Sequence, residues 1–421
     1  MNPREAARQV YESMASRLLS GAGMPQVADL AGLLLLQAAL ATTGDVSRRR
    51  ADVHRVLAVA VERELTFGGL ISNSVTHLTF ATRIARASSD DYHGLLKAAD
   101  KAIVEGTGQL LGVARSTAGQ GTVSHWYDVV SGVSGLGRYL LMAVRFDPDL
   151  EPALLDVLRY LVELGQPITV EGKTVPGWWN NPGLYISEDD LRLYPDGDFN
   201  LGLSHGICGP LSLLAIVALA GWEVDGQRAA IRDMLSWILR WQCVDAVGPY
   251  WPGRIPLAAE LTGEGAPWSP SYSWCYGSTG VSRTIQLAGE ALADDEAAAL
   301  ARTAIRAALD RFEKRIGTGG FGATICHGAA GLLQGRLRIL GDAGQEDDAG
   351  ERTILSGVLD EYSADHAFGF QHLRPAETDG PLIGVDRAGV VEGAAGVALA
   401  LLGDEAIRPA ETAWDAMLLL S

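Results

Sequence analysis

The sequence predicts an all-α fold in which seven helical hairpins close into a ring, and two observations carry that reading. The first is a pair of glycines or small residues, spaced by two positions and followed by roughly a dozen apolar residues, that recurs along the chain. Its copies begin at Asp29/Gly32, Gly69/Ser72, Gly132/Gly135, Gly206/Gly209, Gly277/Gly280, Gly328/Gly331 and Gly393/Gly396. The second is that metal-type residues stand in matched register to these pairs. Cys275 and Cys326 each lie two residues before the first glycine of their copy, and His205 and His327 each lie one residue before theirs. Helix starts that face a common point would gather these residues, which favours a closed ring over an open stack of hairpins.

Residues 1–20 read as an amphipathic helix carrying Arg4, Glu5, Arg8 and Glu12. Intervals of 40, 63, 74, 71, 51 and 65 residues separate the seven copies, enough for an apolar helix, a return helix and two loops. Residues 211–220 are apolar nearly all round, as suits a helix covered on every side. Ile231, Met234, Leu235, Ile238 and Trp241 instead form one stripe with Arg232, Asp233 and Arg240 opposite, as suits an outer helix. Inner and outer layers follow, within one domain spanning residues 1–421.

Two segments interrupt the pattern. Residues 166–203 turn extended, with Ile168-Thr169-Val170 and Thr174-Val175 around Glu171-Gly172-Lys173 as a hairpin signal, and are expected to form a small strand-containing insertion. Residues 244–273 carry Pro249, Pro252, Pro256, Pro267 and Pro270 among Tyr250, Trp251, Trp268 and Tyr272, and lead into Cys275 as a rim.

With 421 residues and 48% hydrophobic content, the chain can bury a large core. A formal charge of −17, from 34 basic and 51 acidic residues, argues against a nucleic-acid or anionic-membrane surface. Residues 30–41 are the most apolar stretch and are too short to span a bilayer, and no secretion signal opens the chain, so a cytoplasmic protein is expected. The four cysteines, Cys208, Cys243, Cys275 and Cys326, are too few and scattered for a disulfide scaffold. Cys208 and Cys243 read as buried core residues.

Cys275, Cys326 and His327 make a Cys2His set, the donor set of a catalytic zinc site whose fourth position is open. Such a metal holds and ionises an incoming thiol. Taken alone, His205 reads as easily as a turn histidine and Asp128 as a helix cap.

Ser-Trp-Cys-Tyr-Gly at 273–277, Cys-His-Gly at 326–328 and Ser-His-Gly-Ile-Cys-Gly at 204–209 together resemble the lanthipeptide (lantibiotic) synthetase cyclases, and the resemblance covers nearly the whole chain. It implies an α/α-toroid of seven inner and seven outer helices with a small β-containing insertion, and Zn2+ held by Cys275, Cys326 and His327. It implies a stand-alone cyclase that adds cysteine thiolates of a dehydrated precursor peptide to dehydroalanine or dehydrobutyrine, forming (methyl)lanthionine thioether rings. It further implies that His205 is the general acid/base, assisted by Asp128, and that a dehydratase and a peptide exporter are partners in a biosynthetic complex at a membrane. The precursor's leader is expected at the insertion.

One position departs from the family pattern. Relatives often carry an arginine four residues before the Trp-Cys-Tyr-Gly cysteine, where this chain has Ser271; Arg254, Tyr276 and zinc are the candidates for stabilising an oxyanion in its place. Two other functions use the same residues or the same fold. One is zinc-dependent addition of glutathione or another small thiol to dehydroamino acids, and the other is a non-catalytic peptide-binding scaffold.

Overall fold

The computed structural model describes residues 1–20, 24–41, 46–265, 268–314, 321–345, 348–376, 380–406 and 413–421. Pro267, in the proline-rich segment, lies outside them. Seventeen α-helices are found among the described residues, and the strands form only two-stranded pairs. No helix among these residues is long and apolar enough to cross a membrane.

Seven of the helices are buried on nearly every side: Val27–Leu40, Val75–Ala85, Val133–Ala143, Cys208–Leu219, Ser278–Leu292, Ala329–Asp342 and Ala394–Leu401. They correspond one for one to the seven copies of the repeat. Amphipathic helices accompany them. In Glu151–Leu164, Leu154, Val157, Leu158 and Leu161 are buried, the spacing of a single apolar stripe. In Gln227–Arg240 the buried stripe is Ile231, Met234, Leu235 and Ile238.

The repeat's first glycine has a steric cause. Gly132, Gly277, Gly328 and Gly393 are each the N-cap of their helix, with extended backbone that any residue could adopt. A Cβ at these positions would instead strike the backbone nitrogen four residues earlier, at 2.3 Å from Asp128, 2.3 Å from Ser273, 2.6 Å from Thr324 and 2.5 Å from Gly389. Gly206 obeys the same rule at 2.5 Å from the Gly202 nitrogen, although its helix is capped one residue later, at Ile207. The second glycine clears a carbonyl six residues back, Trp274 for Gly280 at 2.2 Å and Val390 for Gly396 at 1.8 Å. The chain therefore coils tightly before each helix and leaves no room for a side chain.

The first two copies differ. The first helix begins at Val27, ahead of Asp29, and the second begins at Val75, where the Ser74 side chain accepts from the His77 N–H. Their substitutions for glycine go with a different helix start.

The chain divides into two compact units, residues 1–103 with 319–416, and residues 104–318 with 417–421. In the first, helix Val27–Leu40 packs against Val75–Ala85 and Ala394–Leu401, and Pro3–Leu18 packs against Ala394–Leu401. Pro3–Leu18 is the amphipathic helix expected at the start, with Asn2 accepting from the Glu5 N–H at 2.8 Å. Buried Arg338 forms a two-pronged pair with Asp415, both contacts at 2.6 Å, and Gln334 donates to the same carboxylate.

In the second unit, Cys208–Leu219 packs against Ser278–Leu292, Val133–Ala143 and Gln227–Arg240. The insertion contains the expected hairpin: Ile168–Val170 pairs antiparallel with Lys173–Val175. Glu171 at φ 50° and Gly172 at φ 75° form its two-residue turn, the left-handed pair that matches strand twist. A further strand, Asp198–Asn200, pairs with Arg254–Pro256, so the two irregular segments are joined by backbone hydrogen bonds.

Candidate metal and proton-transfer centre

The loop before helix Val133–Ala143 supplies Asp128, which is fully buried. Its Oδ1 accepts from the N–H groups of Ser131 and Gly132, both at 2.7 Å, fixing the turn into the helix. Its Oδ2 lies 2.6 Å from His205 Nδ1. Asp128 is not the helix N-cap, which is Gly132; it braces the turn ahead of that cap with one carboxylate oxygen and meets His205 with the other.

His205 stands in the turn before helix Cys208–Leu219, with its side chain 42% exposed. Burial is the largest single influence on its pKa and pulls it down, but the Asp128 hydrogen bond and charge, with Cys275 beside it, outweigh this and raise it above 6.5. With the proton on Nδ1 directed at Asp128, the other ring nitrogen, Nε2, is left as a base.

The His205 loop is clipped to the Cys275 loop: the N–H groups of Leu203 and Ser204 donate to the Cys275 carbonyl at 2.8 and 3.2 Å. Cys275 is buried, and Ser273 Oγ lies 3.6 Å from its Sγ. Ser271, which occupies the departing position, donates to Ser273 Oγ at 3.0 Å and so belongs to the scaffold of this loop.

Cys326 is buried and His327 half-buried ahead of helix Ala329–Asp342, with Cys326 Sγ 3.8 Å from His327 Nε2. The His327 ring is stacked on Phe321, with centroids 5.5 Å apart and planes 3° from parallel. His372 lies beside it at 6.1 Å, a neighbour with no signal in the sequence. Burial holds the His372 pKa down, so it favours the neutral form.

Cys326 and His327 thus offer two adjacent metal-type ligand atoms, and Cys275, at the equivalent place in its own loop, has the donor chemistry that would complete a Cys2His set. Zn–S bonds of about 2.3 Å and Zn–N bonds of about 2.0–2.1 Å at tetrahedral angles put ligand atoms roughly 3.6–3.8 Å apart; the 3.8 Å between Cys326 Sγ and His327 Nε2 matches that spacing, and the Cys2His donor chemistry suits zinc. The other two cysteines play no part in this cluster. Cys208 is buried in its helix and its thiol is pushed up to about 12 by burial. Cys243 differs from the expected core residue: the helix stops at Arg240, and Cys243 lies half-buried in the strand Cys243–Val244.

Tyr276, half-buried, has its ring centroid 6.4 Å from that of His205. Burial raises its pKa well above the usual phenol value, so it stays protonated. Arg254 lies nearby but faces carboxylates, with Nε 2.7 Å and Nη2 2.8 Å from Asp198, Nη1 on Asp190, and its guanidinium 4.1 Å above the Tyr194 ring.

A curated relative, Nisin biosynthesis protein NisC of Lactococcus lactis subsp. lactis, is 26% identical over 211 residues, which is 49% of this chain and 48% of that protein. The chain therefore matches about half the length of that relative. A solved structure, Nisin cyclase, superposes with a TM-score of 0.79 at 18% identity, over 98% of this chain and 97% of that one. That likeness gives the fold, an α/α-toroid, as the resemblance implied. The sequence model of the family described as Lanthionine synthetase C-like protein matches residues 76–419, and with so much of the chain covered, the protein belongs to that family.

Proposed function

We propose that the protein is a zinc-dependent lanthipeptide cyclase, with the metal on Cys275, Cys326 and His327 and with His205 as general acid/base. The observation that carries this reading is the His205–Asp128 contact of 2.6 Å in a loop hydrogen-bonded to that of Cys275. An acid/base poised beside a thiol-binding metal set is what addition of a thiol to a dehydroamino acid requires.

Zinc, when bound, lowers the pKa of a substrate cysteine so that the thiolate is available near neutral pH. Nε2 of His205 takes the thiol proton, and Asp128 holds the resulting imidazolium. The thiolate sulfur bonds to the β-carbon of dehydroalanine or dehydrobutyrine as the C=C bond opens, and the electron pair moves onto the α-carbon and its carbonyl. Nε2 then returns the proton to the α-carbon. Every atom is retained, so ring closure leaves the mass unchanged. Tyr276 is the hydrogen-bond donor for the carbonyl oxygen while it carries charge.

The partners follow from the chemistry. The substrate is a precursor peptide whose serines and threonines a dehydratase has already dehydrated, and its leader docks at the insertion. A peptide exporter is the downstream partner, and the cytoplasm, against a membrane-bound assembly, is the setting.

The test is to give the zinc-loaded protein a dehydrated peptide containing its own cysteines, with and without glutathione, then to alkylate free thiols and weigh the product. Unchanged mass with loss of alkylation supports cyclisation. Gain of one glutathione per site replaces this reading with small-thiol addition, and no change in either supports a scaffold.

A further inference from the structure

Asn200 has no place in the reaction as described, yet it touches the phenol of Tyr276. Its Nδ2 lies 3.2 Å from the Tyr276 hydroxyl oxygen. The orientation of the amide is fixed on its other side, because Oδ1 accepts from the Gly202 N–H at 3.2 Å, so it is the NH2 group that meets the phenol. A phenol oxygen that accepts this bond keeps its own proton free for a different acceptor.

The surroundings hold the ring in place. A Cβ at Gly202 would come within 2.5 Å of Tyr276 Cδ1, and one at Gly253 within 3.2 Å, so two backbone segments lie flat against it. Asn200 itself is buried, in the strand Asp198–Asn200, and its carbonyl accepts from the Ile207 N–H at 2.9 Å. The arrangement parallels the one at His205. There too a partly exposed proton-handling group is braced from behind by a buried partner, Asp128 for the imidazole and Asn200 for the phenol.

Arg254 is committed elsewhere. All three of its guanidinium nitrogens face Asp198 or Asp190, and such a neutralised cation is a weak partner for a developing oxyanion. We infer that Asn200 is a positioning residue that turns the Tyr276 hydroxyl proton outward, onto the substrate carbonyl oxygen as negative charge builds there. No proton is transferred in this contact; the phenol donates a hydrogen bond and the α-carbon receives its proton from His205. The inference rests on the cyclase reading given above.

The test uses the full-length, zinc-loaded protein and a dehydrated, cysteine-containing peptide. Asn200→Ala should lower kcat by about 3- to 10-fold with little change in KM, the size of effect expected of one neutral hydrogen bond. Asn200→Asp keeps the acceptor for the Gly202 N–H but loses the donor, and should be slowed at least as much, which separates aiming the phenol from bracing the loop. Combined with Tyr276→Phe, Asn200→Ala should cost nothing further, because a residue acting through Tyr276 has nothing left to act on. In protein carrying tyrosine labelled at Cζ with carbon-13, the signal absent from Tyr276→Phe should shift in Asn200→Ala, while zinc content stays at the wild-type level. Wild-type turnover by Asn200→Asp, fully additive losses in the double variant, or an unmoved Cζ signal would each overturn the role of Asn200 in an otherwise active cyclase. A wild-type protein that closes no ring would overturn the cyclase reading, and this role with it.

Discussion

At His205, half-exposed and 2.6 Å from the Asp128 carboxylate, substitution is expected to separate metal binding from turnover. On the proposed assignment, in which Cys275, Cys326 and His327 supply the three protein ligands, His205→Ala should keep its zinc, while cyclisation slows by about 10²- to 10⁴-fold for loss of a positioned acid/base. Elemental analysis beside a thiol-alkylation assay reads both; zinc lost along with activity would make His205 a ligand. The pH dependence follows from the raised pKa of this histidine. The base form needed to take the thiol proton appears only above that value, so the acid limb of the rate profile should lie above the ordinary histidine pKa of about 6.5, and Asp128→Asn should move it down. The stability linkage has the opposite sense. A raised folded-state pKa contributes stability that is fully present below the unfolded value and is lost as pH rises through the folded one, so His205→Ala should lower the urea midpoint more at acid than at alkaline pH. An equal shift at both ends would mean that the histidine adds no charge-linked stability.

Among the elements, the glycine repeat makes a prediction about side-chain volume. At Gly277 a Cβ would sit 2.3 Å from the Ser273 nitrogen, backbone that cannot swing aside. Gly277→Ala should therefore cost roughly 1–3 kcal/mol, as overpacking does, and should loosen the Cys275 turn with it. Gly172→Ala is the contrast, since nothing lies within 4 Å and only the left-handed φ of 75° opposes a side chain. That variant should lose about 1 kcal/mol or less. Denaturant midpoints of the two variants decide the matter, and equal losses would sink the close-approach account of the repeat. The Arg338–Asp415 pair gives a second handle on the elements. Asp415→Ala removes both 2.6 Å contacts from a nearly buried guanidinium and should cost about 3–5 kcal/mol.

For the molecule as a whole, stability should reside in the buried helices, not in the metal. Leu33, Leu34, Leu211 and Leu332 are among many leucines at 1% exposure or less, and each fully buried side chain of this kind contributes about 1.5–3 kcal/mol. Removing metal with a chelator should leave the far-ultraviolet circular dichroism almost unchanged while the melting temperature falls, as for loss of a ligand that binds only the folded state. A cooperative loss of helix on chelation would show instead that the metal holds the fold together.

The seven inner helices were legible because a small-residue pair recurs at or near the start of each, ahead of a largely apolar run, and a hairpin turn such as Glu171-Gly172 is a local matter of backbone angles. Register, together with the family resemblance, singled out Cys275, Cys326 and His327 as the candidate ligands. Other features depend on contacts between segments far apart in the chain, which no local pattern encodes. The strand pairing of Asp198–Asn200 with Arg254–Pro256 is one, and the approach of Asn200 to Tyr276, 76 residues away, is another. The two-sided use of Asp128 likewise needed the His205 turn to arrive at its second oxygen. The sequence by itself thus determined the inner helices and their order, because periodicity and close backbone approach act over a few residues. Only the tertiary structure decided which buried groups stand behind the reacting ones, because a hydrogen bond at about 3 Å is fixed by the packing of whole elements.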